Sequence, residues 1–196
     1  MNTVSPIIPK IVVIGTSAGG LSMLQHILAD LPKDWSTPIL IVQHQLQTAD
    51  ESLVELLNLV SPLPCCYALD GQKIQLGHVY VSPPGYHFLV EDSQTLALSD
   101  DEPIHYARPS IDLLLQSAAT AFGKAVIAVI LTGANSDGAA GLKKVKEQGG
   151  ITLVQMPLCA EYDAMPNAAI SATDIDCVCL PSQISLKLRE YCHYES

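Results

Sequence analysis

Three residues of this sequence are of the types that carry out acyl transfer: Ser17, His44 and Asp137. Ser17 and His44 each come just after an apolar, β-branched segment, and Asp137 lies in the turn that follows a third such segment. A hydroxyl nucleophile, an imidazole general base and a carboxylate that orients the imidazole make up a serine-hydrolase triad. The order Ser, His, Asp differs from that of α/β-hydrolases, but a triad is defined by its geometry and not by its order.

The segment around Ser17 has the pattern of a nucleophile elbow. It reads Gly15-Thr-Ser17-Ala-Gly19 and so fits G-x-S-x-G, a sharp strand-to-helix turn that raises a serine hydroxyl above a sheet. A Gly-rich turn of this kind also binds phosphate through its backbone N–H groups, so a phosphate-binding loop is an alternative. A nucleotide-binding module is a further alternative, with two observations against it. The spacing is not G-x-G-x-x-G, and the residue after the second strand is His44 and not an acid.

His44 and Asp137 also have structural alternatives. A histidine after a strand is often a hydrogen-bonded loop residue, and Asp137, directly before Gly138, is placed to cap the helix that follows it. In an open parallel sheet, however, the carboxyl ends of the strands meet at one edge, and ligands bind there. Because Ser17, His44 and Asp137 all follow strands, we expect them to meet at that edge.

The elements that position these residues alternate between strand and helix. Continuous apolar runs, typical of strands buried on both faces, predict strands at residues 11–14, 39–42, 125–131, 151–154 and 177–180. Apolar residues at helical spacing predict helices at residues 21–31, 53–60, 111–121, 165–170 and 182–191, and another that ends at residue 147. Successive strand–helix units predict an α/β fold with a mostly parallel sheet.

The middle of the chain has a different pattern. Residues 65–98 alternate in short runs between turn residues, which predicts short strands and hairpins at the edge of the sheet. Within them, residues 86–90 and 95–98 are expected to form an antiparallel pair. The helix that follows is predicted to begin with Ser110 as its N-cap and Asp112 in its first turn.

Length, composition and charge exclude several classes of protein. A chain of 196 residues is expected to form one domain, residues 1–196. The hydrophobic fraction of 48% and the charged fraction of 15% are typical of an α/β protein with a large core. No apolar run approaches the roughly 20 residues of a membrane span. The net charge of −10 argues against nucleic acid as a partner.

The cysteines and the first residues indicate a cytoplasmic protein. The six cysteines include no C-x-x-C pair, so we expect buried thiols and neither a disulfide nor a metal site. Residues 1–10 lack the basic region, apolar stretch and cleavage site of a secretory signal.

Six segments, taken in order, resemble the sequence blocks of one family, the catalytic domain of bacterial chemotaxis protein-glutamate methylesterases (CheB-type). They are IGTSAGG at residues 14–20, QH at 43–44, GHVYVSPPG at 77–85, RPSID at 108–112, LTGANSDGAAG at 131–141 and AMP at 164–166. The resemblance covers about residues 10–182. It implies a doubly wound, three-layer α/β/α sandwich with a mostly parallel sheet, into which the antiparallel hairpin is inserted.

The resemblance also implies a function and its residues. Ser17, His44 and Asp137 fall on the catalytic triad of the family, which needs no cofactor or metal. The substrates are γ-glutamyl methyl esters on the cytoplasmic helices of chemoreceptors, and certain receptor glutamines are deamidated. The oxyanion is expected to bind the backbone N–H of Ala18, next to the nucleophile, and, by resemblance, that of Ala134. A non-catalytic module that binds a receptor or another signalling partner is the alternative.

Three departures from the family pattern bear on the substrate and on regulation. Only ten residues precede the first strand, so we expect a free-standing domain without a receiver domain, which leaves open a separate response regulator as a partner. Ala134 stands where the family often has methionine, and residues 45–48 replace a proline-rich continuation. Ala18 stands where a threonine often follows the nucleophile, although the backbone N–H is retained.

Overall fold

The computed structural model describes residues 10–45, 52–91, 94–104 and 107–192. The strands in these ranges are β1 Ile11–Thr16, β2 Ile39–Gln43, β3 Cys65–Tyr67, β4 Val79–Val81, β5 His87–Val90, β6 Leu96–Ser99, β7 Val126–Ile130, β8 Ile151–Gln155 and β9 Cys177–Cys179. The α-helices are α1 Gly20–Ala29, α2 Ser52–Asn58, α3 Ile111–Phe122, α4 Ala139–Glu147, α5 Ala164–Ala172 and α6 Pro181–Cys192. None of these helices is long and apolar enough to cross a membrane.

Seven of the strands form one parallel sheet with β1 at its centre. The order is β3-β4-β2-β1-β7-β8-β9, so the first half of the chain builds one side of β1 and the second half builds the other. Ile14 is in register with Ile41 of β2 and with Val129 of β7. The order of the strands reverses at β1, and the crevice at such a switch point is where open α/β sheets bind ligands.

The sheet is covered by helices on both faces, which confirms the predicted three-layer sandwich. Residues of β1 alternate between two cores: Ile11 and Val13 pack with α3, α4 and α5, whereas Val12 and Ile14 pack with α1, α2 and α6. All six residues of β1 are buried. A strand that is buried on both faces is apolar at every position, which explains the continuous runs in the sequence.

The middle segment is divided between the sheet and one helix layer. The predicted antiparallel pair is confirmed as β5 and β6, with His87 opposite Ser99 and Val90 opposite Leu96. This hairpin forms a separate sheet against α3, where the Val90 N–H donates to the Ser117 hydroxyl at 3.0 Å. Of this segment only β3 and β4 join the parallel sheet, with β3 as its edge strand, so the expectation that the whole segment lies at that edge was wrong.

The second helix is shorter than its periodicity predicts. It ends at Asn58, and Val60, which was expected on its inner face, is 38% exposed. The Asn58 side chain pairs with the backbone of Cys65, donating to its carbonyl and accepting from its N–H, both at 2.9 Å. This pairing directs the chain out of the helix and into β3 before the apolar face is complete.

Candidate active site

The turn after β1 is held in place by the neighbouring strand. The Ser17 N–H donates to the Thr132 carbonyl beyond β7 at 3.0 Å, and the Thr16 hydroxyl donates to the same oxygen at 2.9 Å. The next residues turn sharply, because Gly19 has a φ of 77° and the Gly20 N–H donates to the Ser17 carbonyl at 3.0 Å. The turn therefore leads directly from β1 into α1 and leaves the half-buried Ser17 at the carboxyl edge of the sheet.

Close packing under the turn requires glycine at position 20. A Cβ there would lie 2.3 Å from Gln43 Oε1 and 2.4 Å from Thr16 Oγ1. The Gln43 amide in turn donates to the Ser17 carbonyl at 2.8 Å and to the His44 carbonyl at 3.0 Å. One buried side chain at the end of β2 thus ties the backbone of Ser17 to that of His44.

His44 follows β2 and lies beside the turn. Its N–H donates to the Thr16 carbonyl at 3.0 Å, and its Nε2 is 2.8 Å from Asp137 Oδ2. The other ring nitrogen, Nδ1, faces the Asn135 amide at 3.4 Å. Because a carboxylate only accepts and the amide Nδ2 only donates, these contacts select the neutral tautomer with the proton on Nε2. Nδ1 therefore carries the lone pair that can accept a proton.

Asp137 is 3% exposed and accepts four hydrogen bonds. Its Oδ2 accepts from His44 and from the Ile111 N–H at 2.7 Å, and its Oδ1 accepts from the Asp112 N–H at 3.0 Å and the Ser110 hydroxyl at 3.1 Å. Burial raises the pKa of this carboxyl, but the hydrogen bonds from His44, Ile111 and Asp112 together outweigh burial and lower the pKa below its ordinary value. Asp137 is therefore an anion held at the N-terminus of α3, where the helix dipole favours negative charge.

The structure rules out Asp137 as the cap of α4 and confirms Ser110 at the N-cap position of α3. Asp137 does not cap α4, whose N-cap is Gly138 at a φ of 95°. Ser110 occupies the N-cap position of α3, but its hydroxyl makes no cap hydrogen bond and donates to Asp137. The carboxylate from the turn after β7 bonds the free N–H groups of α3 instead, because charged acceptors make stronger hydrogen bonds than a hydroxyl does.

Ser17 and His44 line one cleft of about 930 Å³ at the carboxyl edge of the sheet. Asp137 lies behind His44 and does not line the cleft. Within the described part of the chain, the cleft walls contain one arginine and no aspartate or glutamate. The lining residues are Ser17, Ala18, Gly19, Gly20, Leu21, Ser22, Gln25, Gln43, His44, Gln45, Pro103, Ala107, Arg108, Pro109 and Asn135.

The two residues predicted to bind the oxyanion differ in position. Ala18 lines the cleft next to Ser17, whereas Ala134 is exposed and its neighbour Asn135 lines the cleft instead. Within the described residues, neither Ala18 nor Ala134 donates its N–H to another protein group. Among the described residues the Ala18 N–H thus has no acceptor and lies beside Ser17, and the role of Ala134 stays a prediction. Of the departures at residues 45–48, those at 46–48 lie outside the described residues.

Several residues near this site have no signal in the sequence. His87 is fully buried: its Nδ1 accepts the Ser110 N–H at 3.1 Å, and its Nε2 is 3.2 Å from the Glu102 carbonyl. It thereby fixes the backbone from which Ser110 reaches Asp137. Asn135 accepts the Asp137 N–H at 3.1 Å as well as facing His44. A buried histidine in a hairpin and an asparagine in a turn have the sequence context of ordinary structural residues, and only the fold brings them beside Ser110, His44 and Asp137.

The turn also bears on the phosphate-loop alternative. The N–H groups of Ser17 and Gly20 both donate to protein carbonyls, so neither is available to a phosphate at this turn. Among the residues described, no group of three His, Cys, Asp or Glu side chains is close enough to hold a metal ion.

Comparison with known proteins gives the family. The family model described as CheB methylesterase matches residues 12–188. A Leptospira interrogans protein is 45% identical over 167 residues, which are 85% of this chain and 86% of that protein. A Geobacter metallireducens protein named protein-glutamate methylesterase/protein-glutamine glutaminase 4 is 42% identical over 82% of this chain but only 47% of its own length. The crystal structure of the Thermotoga maritima CheB methylesterase catalytic domain matches with a TM-score of 0.88 and 35% identity, covering 92% of this chain and 97% of that one. The chain belongs to the CheB methylesterase family.

Proposed function

We propose that this chain hydrolyses γ-glutamyl methyl esters on chemoreceptors, with Ser17 as nucleophile, His44 as general base and Asp137 as the carboxylate that orients His44. The observation that carries the proposal is the 2.8 Å contact between His44 Nε2 and an Asp137 carboxylate that is itself anchored to the N-terminus of α3. This contact leaves His44 Nδ1 as the proton acceptor in a cleft that Ser17 also lines.

In the first half of the reaction, Ser17 Oγ attacks the ester carbonyl while His44 Nδ1 takes its proton. The imidazolium that forms is stabilised by the Asp137 carboxylate, and the Ala18 N–H donates to the oxyanion; losing one such donor typically costs about 10²–10³ in rate. The tetrahedral intermediate expels methoxide, which leaves as methanol with the proton from His44. An acyl-enzyme ester on Ser17 remains.

In the second half, His44 Nδ1 takes a proton from water as the water attacks the acyl-enzyme. The bond to Ser17 Oγ breaks, the serine recovers its proton from His44, and the glutamic acid side chain is released and then loses its proton to solvent. The balance is one ester and one water for one carboxylic acid and one methanol, so these steps require no cofactor.

Methanol release from a methylated receptor fragment tests the proposal. Ser17→Ala should lower the rate about 10³-fold or more, since removing a triad nucleophile removes the covalent pathway. Ser171→Ala is the matched control, because Ser171 is an exposed residue of α5 that donates only to the Asn167 carbonyl. Unchanged methanol release from Ser17→Ala protein would refute the role of Ser17.

The names of the curated relatives also favour a second reaction, deamidation of receptor glutamines. The same nucleophile would attack a γ-carboxamide, and ammonia would leave in place of methanol. We propose that this chain catalyses both reactions, and ammonia release from an unmethylated, glutamine-bearing receptor fragment is the test. A non-catalytic binding module, in contrast, would bind the receptor yet release neither methanol nor ammonia.

We further propose that residues 1–196 act as a single domain in the cytoplasm, on the cytoplasmic helices of methylated receptors. The family match over residues 12–188 supports one domain with a core at about 10–182. The six free cysteines fit a reducing compartment, although the expectation that the thiols are buried was wrong for Cys159, which is exposed. Partner capture with a methylated receptor fragment and with separate response regulators tests which proteins the domain contacts.

A further inference from the structure

Arg108 is the one arginine on the cleft walls within the described residues, and no acidic side chain lines the cleft with it. The chain as a whole carries a net charge of −10 and contains just one other arginine, Arg189. A single cation in the substrate cleft of an acidic protein is poorly explained by general surface charge. It indicates a specific anionic group on whatever the cleft binds.

The Arg108 guanidinium is held by backbone carbonyls and not by a carboxylate. Nη1 donates to the carbonyls of Asp100 and Asp101 at 2.6 Å and 2.9 Å. The Asp101 carboxylate turns away and accepts the Ser99 hydroxyl at 2.6 Å. No ion pair forms between Arg108 and any acidic side chain of the described residues. The orientation of the side chain is therefore fixed, and no carboxylate of the described residues is paired with it.

The remaining edge of the guanidinium has the geometry of a carboxylate receptor. Nη1 uses its N–H groups on the two carbonyls, whereas Nε and Nη2 donate to no other described residue. The Nε–H and one Nη2–H point the same way and match the two oxygens of a carboxylate. Because the carbonyls already hold Nη1, binding a carboxylate at this edge costs little further side-chain entropy.

We propose that Arg108 recognises the carboxylate of an acidic residue that flanks the esterified glutamate on the substrate helix. This inference rests on the function proposed above and deepens it. The ester itself is neutral and reacts at Ser17, so it does not require a cation. The exposed acids at residues 100–102 repel acidic groups that approach elsewhere on this side of the cleft. Arg108 thus accepts an acid at one position along the helix and thereby sets which glutamate reaches Ser17.

A series of helical peptides with one glutamyl methyl ester tests this recognition. A single glutamate is placed in turn at each position within two helical turns of the ester, and glutamine fills the other positions. For the wild-type protein, one position should raise kcat/KM for methanol release about 10-fold over the peptide without a flanking acid, mainly through KM, as expected for a charge-assisted bidentate hydrogen bond. The preference should weaken as salt is added.

Substitutions of Arg108 distinguish recognition of the substrate carboxylate from structural support of the backbone at Asp100 and Asp101. Arg108→Gln should abolish the positional preference, so that kcat/KM no longer depends on where the flanking glutamate lies, and Arg108→Lys should restore the preference in part. Arg189→Gln is the matched control, because it removes the same charge from α6, where Arg189 contacts Asp30 at 3.2 Å.

The outcomes distinguish the two proposals. If the wild-type protein releases methanol from every peptide at one rate, the role of Arg108 is overturned and the esterase function stands. If Arg108→Gln lowered kcat/KM by the same factor on every peptide and so kept the positional preference, recognition would also be overturned. Arg108 would then only support the backbone at Asp100 and Asp101. Release of methanol from no peptide and from no receptor fragment would overturn the proposed function, and the recognition role with it.

Discussion

Replacing Asp137 by asparagine tests the dual role of this residue, which orients His44 and binds the N-terminus of α3. Oδ2 accepts from His44 and Ile111, and Oδ1 accepts from Asp112 and Ser110. An asparagine has only one oxygen, and its amide nitrogen cannot accept. In the more favourable side-chain orientation, the asparagine oxygen takes the place of Oδ2 and still accepts from His44 and Ile111. The asparagine NH₂ then takes the place of Oδ1, so the Ser110 hydroxyl rotates to accept from it and the Asp112 N–H loses its acceptor.

The size of the effect follows from those bonds. A buried N–H without a partner costs about 1–3 kcal/mol, and loss of the negative charge at the N-terminus of α3 adds about 0.3–1 kcal/mol. Asp137→Asn should therefore lower the free energy of unfolding by about 1–4 kcal/mol. The rate of methanol release should also fall, because the imidazolium loses its counter-charge, by at most the ~10⁴-fold that follows replacement of the triad aspartate in a serine protease, where the tautomer changes as well.

Urea unfolding measures the loss of stability in Asp137→Asn, and methanol release measures the loss of rate. Unfolding at several pH values isolates the contribution of the Asp137 charge. Hydrogen bonds hold the pKa of Asp137 below its ordinary value of 3.8, despite burial. The carboxylate therefore stabilises the fold fully above that value, and its contribution is lost as the pH falls through the lower, folded-state pKa. The difference in stability between wild type and variant should be largest near pH 7 and should shrink below about pH 3.8.

Asp174→Asn is the control for this experiment, because Asp174 is exposed and distant from the triad in the sequence. Its stability and its methanol release should match those of the wild type. An Asp137→Asn protein with wild-type turnover and an unchanged free energy of unfolding would refute the reasoning about Asp137.

Two further substitutions test how the site is supported. Gly20→Ala places a Cβ 2.3 Å from Gln43 Oε1 and 2.4 Å from Thr16 Oγ1, so overpacking should lower the free energy of unfolding by about 1–3 kcal/mol and reduce kcat. Wild-type stability in urea unfolding together with a wild-type kcat for methanol release would contradict this. His87→Phe leaves the buried Ser110 N–H without its acceptor and should cost about 1–3 kcal/mol in urea unfolding, with a wild-type value as the contrary result.

Much of the fold could be predicted because its signals are local. Strands buried on both faces have nearly continuous apolar runs, as at residues 11–14 of β1, and helices with one buried face repeat their apolar residues at helical spacing, as in α3. The site could be located from the same patterns, since the residues after β1, β2 and β7 must meet at the carboxyl edge of a parallel sheet. The contact between His44 and Asp137 follows from that topology.

What could not be predicted depends on contacts between distant segments. The sequence around Asp137 indicates a cap for the helix beside it, yet the carboxylate bonds α3, whose first residues are about 26 positions earlier in the chain. No local sequence pattern predicts a contact between segments that are this far apart in the chain. The same holds for β3 and β4, which are too short to reveal that they extend the parallel sheet, and for His87, whose two partners come from other segments.

Covalent trapping of the nucleophile tests the central claim most directly. The intact protein is treated with a fluorophosphonate, with and without a methylated receptor fragment, and the modified residue is located by peptide mass spectrometry. The mechanism predicts one adduct on Ser17, protection by the fragment, and loss of labelling in Ser17→Ala but not in Ser171→Ala. Methanol release by a protein that gains no adduct on Ser17, or gains it on a different serine, would contradict the claim.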